Sequence, residues 1–292
     1  MTTKLSYKKV FNSSKDIIYS IITPIYNQEN IVVENLQSVI NNTSDYFEII
    51  IILDYCFDNT EQNIMNFLSS YENNVYNFIQ ITILKNEEKP LFETKCDNIG
   101  FKLSSGKYCL EIQADMKMVE KGYNLHLTKP FNVLDNVIAV SGRCAHNLFT
   151  GGGAGKLGCD IEKPISKLNV RKDAFYVYET CNRGPLLIDK KKLKELDFLN
   201  EEEYFLDDSD HDLMARAYIE KGYICGYVAI DFDAPVCLGS TRNNNNYNNC
   251  KEYLINKCEK ELLYNKCKSK LGLNKYRNRW INKNPITYVI PL

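Results

Sequence analysis

The chain has no surplus of either charge: 36 lysines and arginines stand against 37 aspartates and glutamates, a net charge of −1. No basic excess points to nucleic acid as a bulk partner, and none is expected. No uninterrupted apolar stretch approaches the length that crosses a bilayer. Met1 to Phe11 is polar and lysine-bearing and lacks the apolar core of a secretory signal. The expectation is a cytoplasmic protein with no transmembrane segment. None of the 11 cysteines forms a Cys-x-x-Cys pair, which argues against a zinc site. Scattered thiols suit a reducing compartment, and Cys109 and Cys225 read as small core hydrophobes. Internal repeats are missing. The glycine-rich run from Thr150 to Lys156 is not a P-loop, which would need Gly in place of Thr150 and Ser or Thr in place of Leu157. It is not a dinucleotide fingerprint either, because Lys156 occupies the place of the last glycine.

What is present is an ordinary globule, 44% hydrophobic and 25% charged, and 292 residues are enough for one large α/β domain. Ile17 to Thr23 is apolar and β-branched, the pattern of a central strand, and Pro24 is expected to break it. Asn30 is expected to cap a helix from Ile31 to Ile40. Glu48 to Leu53 is a second strand, followed at once by Asp54. Asp58 is expected to cap the next helix, with Ile64, Phe67 and Leu68 on its apolar side. Phe78 to Leu84 is a third strand and Thr94 to Leu103 a third helix. Tyr108 to Leu110 then opens a buried strand that delivers Asp115. Strand alternating with helix implies a parallel sheet of right-handed crossovers, with Asp54 and Asp115 on its C-terminal edge, where such sheets bind ligands.

The second half is less regular. Strands are expected at Val137 to Ser141, Leu186 to Ile188 and Tyr223 to Ile230, and helices at Lys190 to Leu196 and Leu213 to Lys221. Gly222 is a stop signal for the last of these. An acidic run, Asp207 to Asp212, precedes that helix. Beyond Arg242 an asparagine- and lysine-rich tail begins, with helical periodicity from Glu252 to Leu263. Bland readings stand beside the functional ones. Asp207 and Asp208 fit a solvated loop, and His211 fits a helix-start histidine satisfied by hydrogen bonds. Tyr26 fits a stacking platform or a crevice wall. Gly151 to Gly155 fits a lid or a surface loop.

Four stations follow in order: Thr23 to Asn27, Asp54, Gln113 to Asp115, and Asp207 to Asp212. Over Ile17 to Arg242 the chain resembles family 2 glycosyltransferases of the GT-A fold. Ser20 to Asn27 resembles the family's opening motif at the nucleotide pocket. Asp54 stands where the family places an acidic residue near base and ribose. Thr94 to Gly100 is similar to the family's helix start, with Lys95 and Asn98 in the usual Arg and Asn places. Gln113-Ala114-Asp115 is similar to the Asp-x-Asp metal motif, with Gln113 replacing the first Asp. Asp210 to Arg216 resembles the family's acidic pair followed by Leu and a later Arg, which carries the catalytic base. Tyr55 replaces a second acidic residue after the second strand.

The resemblance implies a GT-A, Rossmann-like α/β fold with a mostly parallel central sheet and a C-terminal helical tail. It implies one domain over 1–242, with a nucleotide-sugar half over 17–116, an acceptor half over 117–242, and the tail over 243–292. The implied donor is a nucleoside-diphosphate sugar, UDP-linked, lined by Thr23, Pro24, Tyr26, Asn27, Asp54, Lys95, Asn98, Gln113, Ala114 and Asp115. The implied cofactor is Mn²⁺ or Mg²⁺ on Asp115, since a hard cation takes carboxylate oxygens and substrate phosphates together. The partner is a glycan or other hydroxyl acceptor, near Arg183, Gly184 and Asp208, with Asp210 as general base and inversion at the anomeric carbon. Two alternatives stay open. One is a catalytically dead GT-A fold that binds nucleotide or glycan. The other is a sugar nucleotidylyltransferase, whose Gly-rich, Arg-containing stretch near the first strand is absent.

Overall fold

The structure is a computed structural model that describes residues 3–13, 15–72, 75–150, 156–158, 170–204, 208–233, 274–277, 279–280 and 288–292. Residues 151–155, Asp207 and most of the tail, with its expected helix, lie outside the described residues. The chain divides into two compact units, Met1–Tyr123 with Asp231–Glu261 and Asn124–Ile230 with Leu262–Leu292.

The first unit alternates strand and helix as its periodicity demands. Its elements are β1 (Lys4–Val10), β2 (Tyr19–Ile25), α1 (Val32–Asn42), β3 (Phe47–Asp54), α2 (Thr60–Ser70), β4 (Phe78–Asn86), α3 (Phe92–Leu103), β5 (Tyr108–Glu111) and β6 (Lys117–Met118). The sheet order is β1-β4-β3-β2-β5. β4, β3, β2 and β5 run parallel, and all eight residues of β3 are buried. That burial is why an isoleucine run is tolerated there: both faces are covered. β1 pairs antiparallel with β4. It went unseen in the sequence because its lysines, Lys4, Lys8 and Lys9, make it polar, which suits an exposed edge strand. Phe232–Asp233 (β14) pairs with β6.

Three local expectations are corrected. Pro24 does not break its strand, since β2 continues to Ile25 with Pro24 opposite Ile52. The ladder with β5 stops at the Ile22–Glu111 pair. The Ile112 N–H donates to the Ile22 carbonyl, so alternate residues from Ile22 onward face β5, and the missing N–H of Pro24 falls where that strand has ended. Asn30 does not cap α1. The helix begins at Val32 after Ile31, which makes no side-chain cap bond, and the Ile31 and Val32 N–H groups donate to the Gln28 carbonyl. Asp58 acts one position early: α2 starts at Thr60, whose N–H donates to the Asp58 carboxylate at 3.0 Å.

The second unit contains β7 (Val137–Ser141), β8 (Cys144–His146), β9 (Lys156–Gly158), β10 (Ala174–Tyr178), β11 (Thr180–Cys181), β12 (Leu186–Asp189), α5 (Lys190–Glu195), α6 (Ser209–Lys221), β13 (Ile224–Tyr227), α7 (Asn274–Arg277) and β15 (Tyr288–Pro291). A further helix, α4 (Tyr123–Val133), starts at the division between units. The ladder order is β12-β7-β13-β10-β15. Only the β7–β13 pairing is parallel; β12–β7, β10–β13 and β10–β15 are antiparallel. The expected mostly parallel sheet therefore holds for the first unit alone. A small antiparallel ladder, β11-β8-β9, lies beside it. Helix α6 begins at Ser209, so Asp210 and Asp212 occupy its first turn rather than a loop before it. Gly222 closes α6 in the left-handed conformation, φ 68°, as its sequence position predicts.

Candidate active site

In the first unit the ends of three neighbouring parallel strands meet at one sheet edge. β2 ends in Thr23 to Asn27, β3 in Asp54, and β5 leads into Gln113 to Asp115. The loops beyond them are stitched together by backbone donors. The Asn27 side-chain oxygen accepts the Phe57 N–H at 3.0 Å, and Asn27 itself takes a left-handed φ of 49°. The Gln28 N–H donates to Thr60 Oγ1 at 2.7 Å. Tyr26, half-buried, meets Phe57 edge to face at 6.0 Å.

Asp54 has a specific local task. Its carboxylate accepts the backbone N–H of Leu91 at 2.9 Å and of Phe92 at 2.9 Å, and the Asn86 amide at 2.7 Å. The Leu91 and Phe92 N–H groups are orphan donors at the start of α3, so Asp54 caps that helix across space. Burial pushes its carboxyl above the ordinary value, although the bonds from Leu91, Asn86 and Phe92 pull the other way. Lys95 is half-buried and Asn98 buried on the same helix.

The Gln113-Ala114-Asp115 segment is a turn rather than strand, with the Met116 N–H bonded to the Gln113 carbonyl at 3.0 Å. Two helices fix it. Glu93 of α3 accepts the Gln113 amide at 2.7 Å, and Asn35 of α1 donates to the Ala114 carbonyl. Ser38 of α1 accepts the Met118 N–H at 3.1 Å. Neither Glu93 nor Asn35 stood out in the sequence; each sits in a helical stretch with no motif to mark it. Asp115 is buried. No group of three His, Cys, Asp or Glu side chains among the described residues forms a metal cage. One carboxylate joined by substrate phosphates and water is nonetheless a common way to hold a hard cation, so the residues fit an ion that arrives with a phosphorylated ligand.

The second unit holds a buried polar cluster at the start of α6. Asp210 accepts the Arg183 N–H at 3.0 Å and the His211 N–H at 2.9 Å, one on each oxygen. The Arg183 guanidinium lies 3.9 Å from the same carboxylate and donates to Ser209 Oγ. Arg143 Nη1 donates to the Arg183 carbonyl at 3.3 Å. Burial alone would raise the Asp210 pKa. The charges of His211 and Arg183, with the two backbone N–H groups, outweigh it and hold the carboxyl below the usual range. A carboxylate offers about four lone-pair positions, so two backbone bonds leave Asp210 able to accept a proton.

The neighbouring acids differ. Asp208 sits at the N-cap position of α6 with φ 66° and makes no side-chain cap bond. Asp212 is fully buried and engaged by Arg216 at 2.8 Å and by the Tyr276 hydroxyl. Gly184 follows Arg183 with φ 64°. His146, which had no motif around it, meets His211 ring to ring at 5.4 Å, and its Nε2 lies 3.3 Å from Cys144 Sγ. The expectation that His211 is a hydrogen-bond-satisfied histidine is not met among the described residues: its Nδ1 is buried with no partner there.

Residues 20–150 match the family model described as Glycosyl transferase family 2. Among solved structures, the mannosyltransferase PcManGT from Pyrobaculum calidifontis, in complex with GDP-Man and Mn²⁺, is 13% identical with a TM-score of 0.56, over 77% of this chain and 59% of that one. S. aureus TarS 1-349 in complex with UDP-GlcNAc is 14% identical, TM-score 0.52, over 90% and 72%. GalNAc-T7 with UDP, GalNAc and Mn²⁺ is 12% identical, TM-score 0.56, over 91% and 55%. At these identities the likeness is one of fold, the GT-A fold. This chain spans 37% to 59% of the lengths of the TarS and PcManGT structures it matches first. No curated protein matches the sequence.

Proposed function

We propose, for a chain whose residues 20–150 match the glycosyl transferase family 2 model and which carries the GT-A fold, transfer of a sugar from a nucleoside-diphosphate sugar, UDP-linked, to an acceptor hydroxyl. The observation that carries this reading is the convergence of Thr23 to Asn27, Asp54 and Gln113 to Asp115 beyond three neighbouring parallel strands. Thr23, Pro24, Tyr26 and Asn27 line the nucleotide, with Tyr26 flat against the base. Lys95 and Asn98, on the helix that Asp54 caps, face the donor. Asp115 would hold Mn²⁺ or Mg²⁺, which when bound would neutralise the charge of the departing diphosphate.

Asp210 takes the acceptor proton. The hydroxyl oxygen bonds to the anomeric carbon as the bond to the diphosphate oxygen breaks, and the electron pair leaves with the phosphate. Attack opposite the leaving group inverts that carbon. The Arg183 N–H holds Asp210, and Arg183 and Gly184 flank the acceptor, with Asp208 beside them. Among the described residues no helix is long and apolar enough to cross a bilayer.

One observation favours a second reading. Gln113 stands where a carboxylate would strengthen the metal site, and its amide is tied to Glu93. A GT-A fold that binds nucleotide without turnover is the result if the metal cannot be held for chemistry. A thermal-shift panel of nucleoside diphosphates and their sugars, with and without Mn²⁺, tests the donor reading, because a ligand of the native state raises the melting temperature. UDP or a relative is expected to do so with Mn²⁺ present. A panel with no stabilising nucleotide overturns the proposal, and binding with no release of nucleotide from any donor selects the second reading.

A further inference from the structure

Asp210 was marked by its motif, but the residue after it has no assigned task. His211 is 7% exposed, and its backbone N–H is committed to the Asp210 carboxylate at 2.9 Å. Its ring makes no hydrogen bond to any described residue; the one recorded contact is the edge-to-face approach to His146 at 5.4 Å. Buried polar side-chain atoms nearly always find a partner, and each exception asks for a reason. A neutral imidazole has one donor and one acceptor nitrogen. With Nδ1 sealed and unpartnered, Nε2 is the ring nitrogen left to meet a ligand, and no described side chain uses it.

The surroundings say what such a donor serves. Arg183, Ser209 and Arg143 are already bonded among themselves and to Asp210. Within this cluster His211 is the side chain next to the base whose ring has no such bond. A sugar hydroxyl that loses its proton to Asp210 is flanked on its ring by further hydroxyls, each an acceptor for an N–H. A group fixed one residue from the base on the first turn of α6 is held to that base by a short rigid path.

We propose that His211 is an acceptor-contacting residue whose imidazole Nε2 hydrogen-bonds a hydroxyl neighbouring the attacked one. It thereby selects acceptors with vicinal hydroxyls, that is, glycans, over simple alcohols. This rests on the transferase reading above for its context, and its test separates the two.

The chain has three histidines, so ring ¹H–¹⁵N spectra of the full chain are simple, and His126→Gln, His146→Gln and His211→Gln assign them. The probes are the methyl glycosides of glucose, galactose, mannose and N-acetylglucosamine, with cyclohexanol as the simple alcohol, added with UDP and Mg²⁺ and also without them. At least one glycoside is expected to shift the His211 nitrogens while leaving His126 still, and cyclohexanol is expected to leave both still. In turnover, His211→Ala is expected to raise the KM for that glycoside by roughly threefold to tenfold, the worth of one neutral hydrogen bond. Transfer to water, which has no neighbouring hydroxyl, is expected to fall by less. His211→Gln, whose amide N–H reaches the Nε2 position, is expected to recover part of the loss. The proposal is overturned if no glycoside moves the His211 signals, if cyclohexanol moves them equally, or if His211→Ala slows transfer to glycoside and to water alike. Failure of the wild type to bind any nucleotide or release it from any donor is a different result: it defeats the transferase reading, while the ring shifts without UDP still report on His211.

Discussion

The carboxylate of Asp54 and the backbone N–H of Phe92 lie 2.9 Å apart, and that bond ties the end of β3 to the first residue of α3. Phe92 enters the helix with a left-handed φ of 65°, so the chain turns sharply into α3 while its leading N–H groups point at Asp54. Helix α3 carries Lys95, Asn98 and the Glu93 that holds Gln113. A residue the motif assigned to the nucleotide is, in this structure, first a cap that sets where three other site residues stand.

Asp54→Ala removes the acceptor for the Leu91 and Phe92 N–H groups and is expected to cost about 1–3 kcal/mol. Asp54→Asn keeps one carbonyl oxygen for the cap and is expected to cost less. Its nucleotide affinity should stay within a few-fold of wild type. Urea unfolding with calorimetry on both variants separates the roles: intact folding with lost affinity in Asp54→Asn would place Asp54 on the nucleotide. The pH dependence has a definite sign. Because the folded pKa is raised, the folded state binds more protons than the unfolded one between the ordinary value of 3.8 and the raised value. Stability from this group is therefore present below 3.8 and lost as pH rises through the folded pKa, and Asp54→Asn removes that slope.

Much of the first unit was legible because its signals are local. Continuous isoleucine runs mark strands buried on both faces, and the helices between them show a 3.6 period. What was missed depended on partners far along the chain. Nothing near Lys4 to Val10 says that β4 needs an edge. Pro24 reads as a breaker unless one knows that β5 ends at Glu111. The second unit was harder, since three of its four central pairings are antiparallel and join short strands with no alternation to read. At the site, motifs marked the chemistry-bearing residues but not their holders. Asn35, Glu93 and Arg143 act through hydrogen bonds that only the folded chain creates.

Asp115→Ala is expected to remove metal-dependent nucleotide binding while leaving the protein folded. The turn it belongs to is held by Asn35, Glu93 and Ser38 through the residues around it. Calorimetry with UDP at several Mn²⁺ concentrations gives the answer. Unchanged metal dependence in a folded variant would show that the ion is held elsewhere or is not used.

Asp212→Ala is expected to act on stability rather than on chemistry. The carboxylate is fully buried, pairs with Arg216 at 2.8 Å and accepts the Tyr276 hydroxyl. Breaking a buried pair from one side leaves the other charge uncompensated and costs on the order of 3 kcal/mol. Arg216 keeps its bond to the Phe198 carbonyl at 2.8 Å, which limits the loss. Melting several degrees lower with turnover per folded molecule retained is the expected pattern. A normal melting temperature with collapsed turnover would move the base from Asp210 to Asp212.

Asp210→Asn should lose transfer while keeping the donor. A general base acts in the transition state, so its removal lowers kcat far more than donor affinity, by about 10²–10⁴-fold. The asparagine still accepts one backbone N–H, from Arg183 or from His211, so the start of α6 is expected to hold its shape. The pH profile adds a second readout. Although burial works against it, the His211 and Arg183 charges and the two backbone donors hold the Asp210 carboxyl below its ordinary 3.8. The group is therefore ionised throughout the neutral range, and the acid limb it imposes on kcat/KM lies below that value. Its contribution to stability is present above 3.8 and lost as pH falls through the lower folded value, opposite in sign to that of Asp54. The measurement is transfer rate at saturating donor across pH, with donor affinity by calorimetry, for Asp210→Asn and Asp208→Asn side by side. Near-normal turnover in Asp210→Asn with collapse in Asp208→Asn would place the base at the N-cap position, two residues earlier. An acid limb at or above the ordinary carboxylate value would assign the titrating group to a residue other than Asp210.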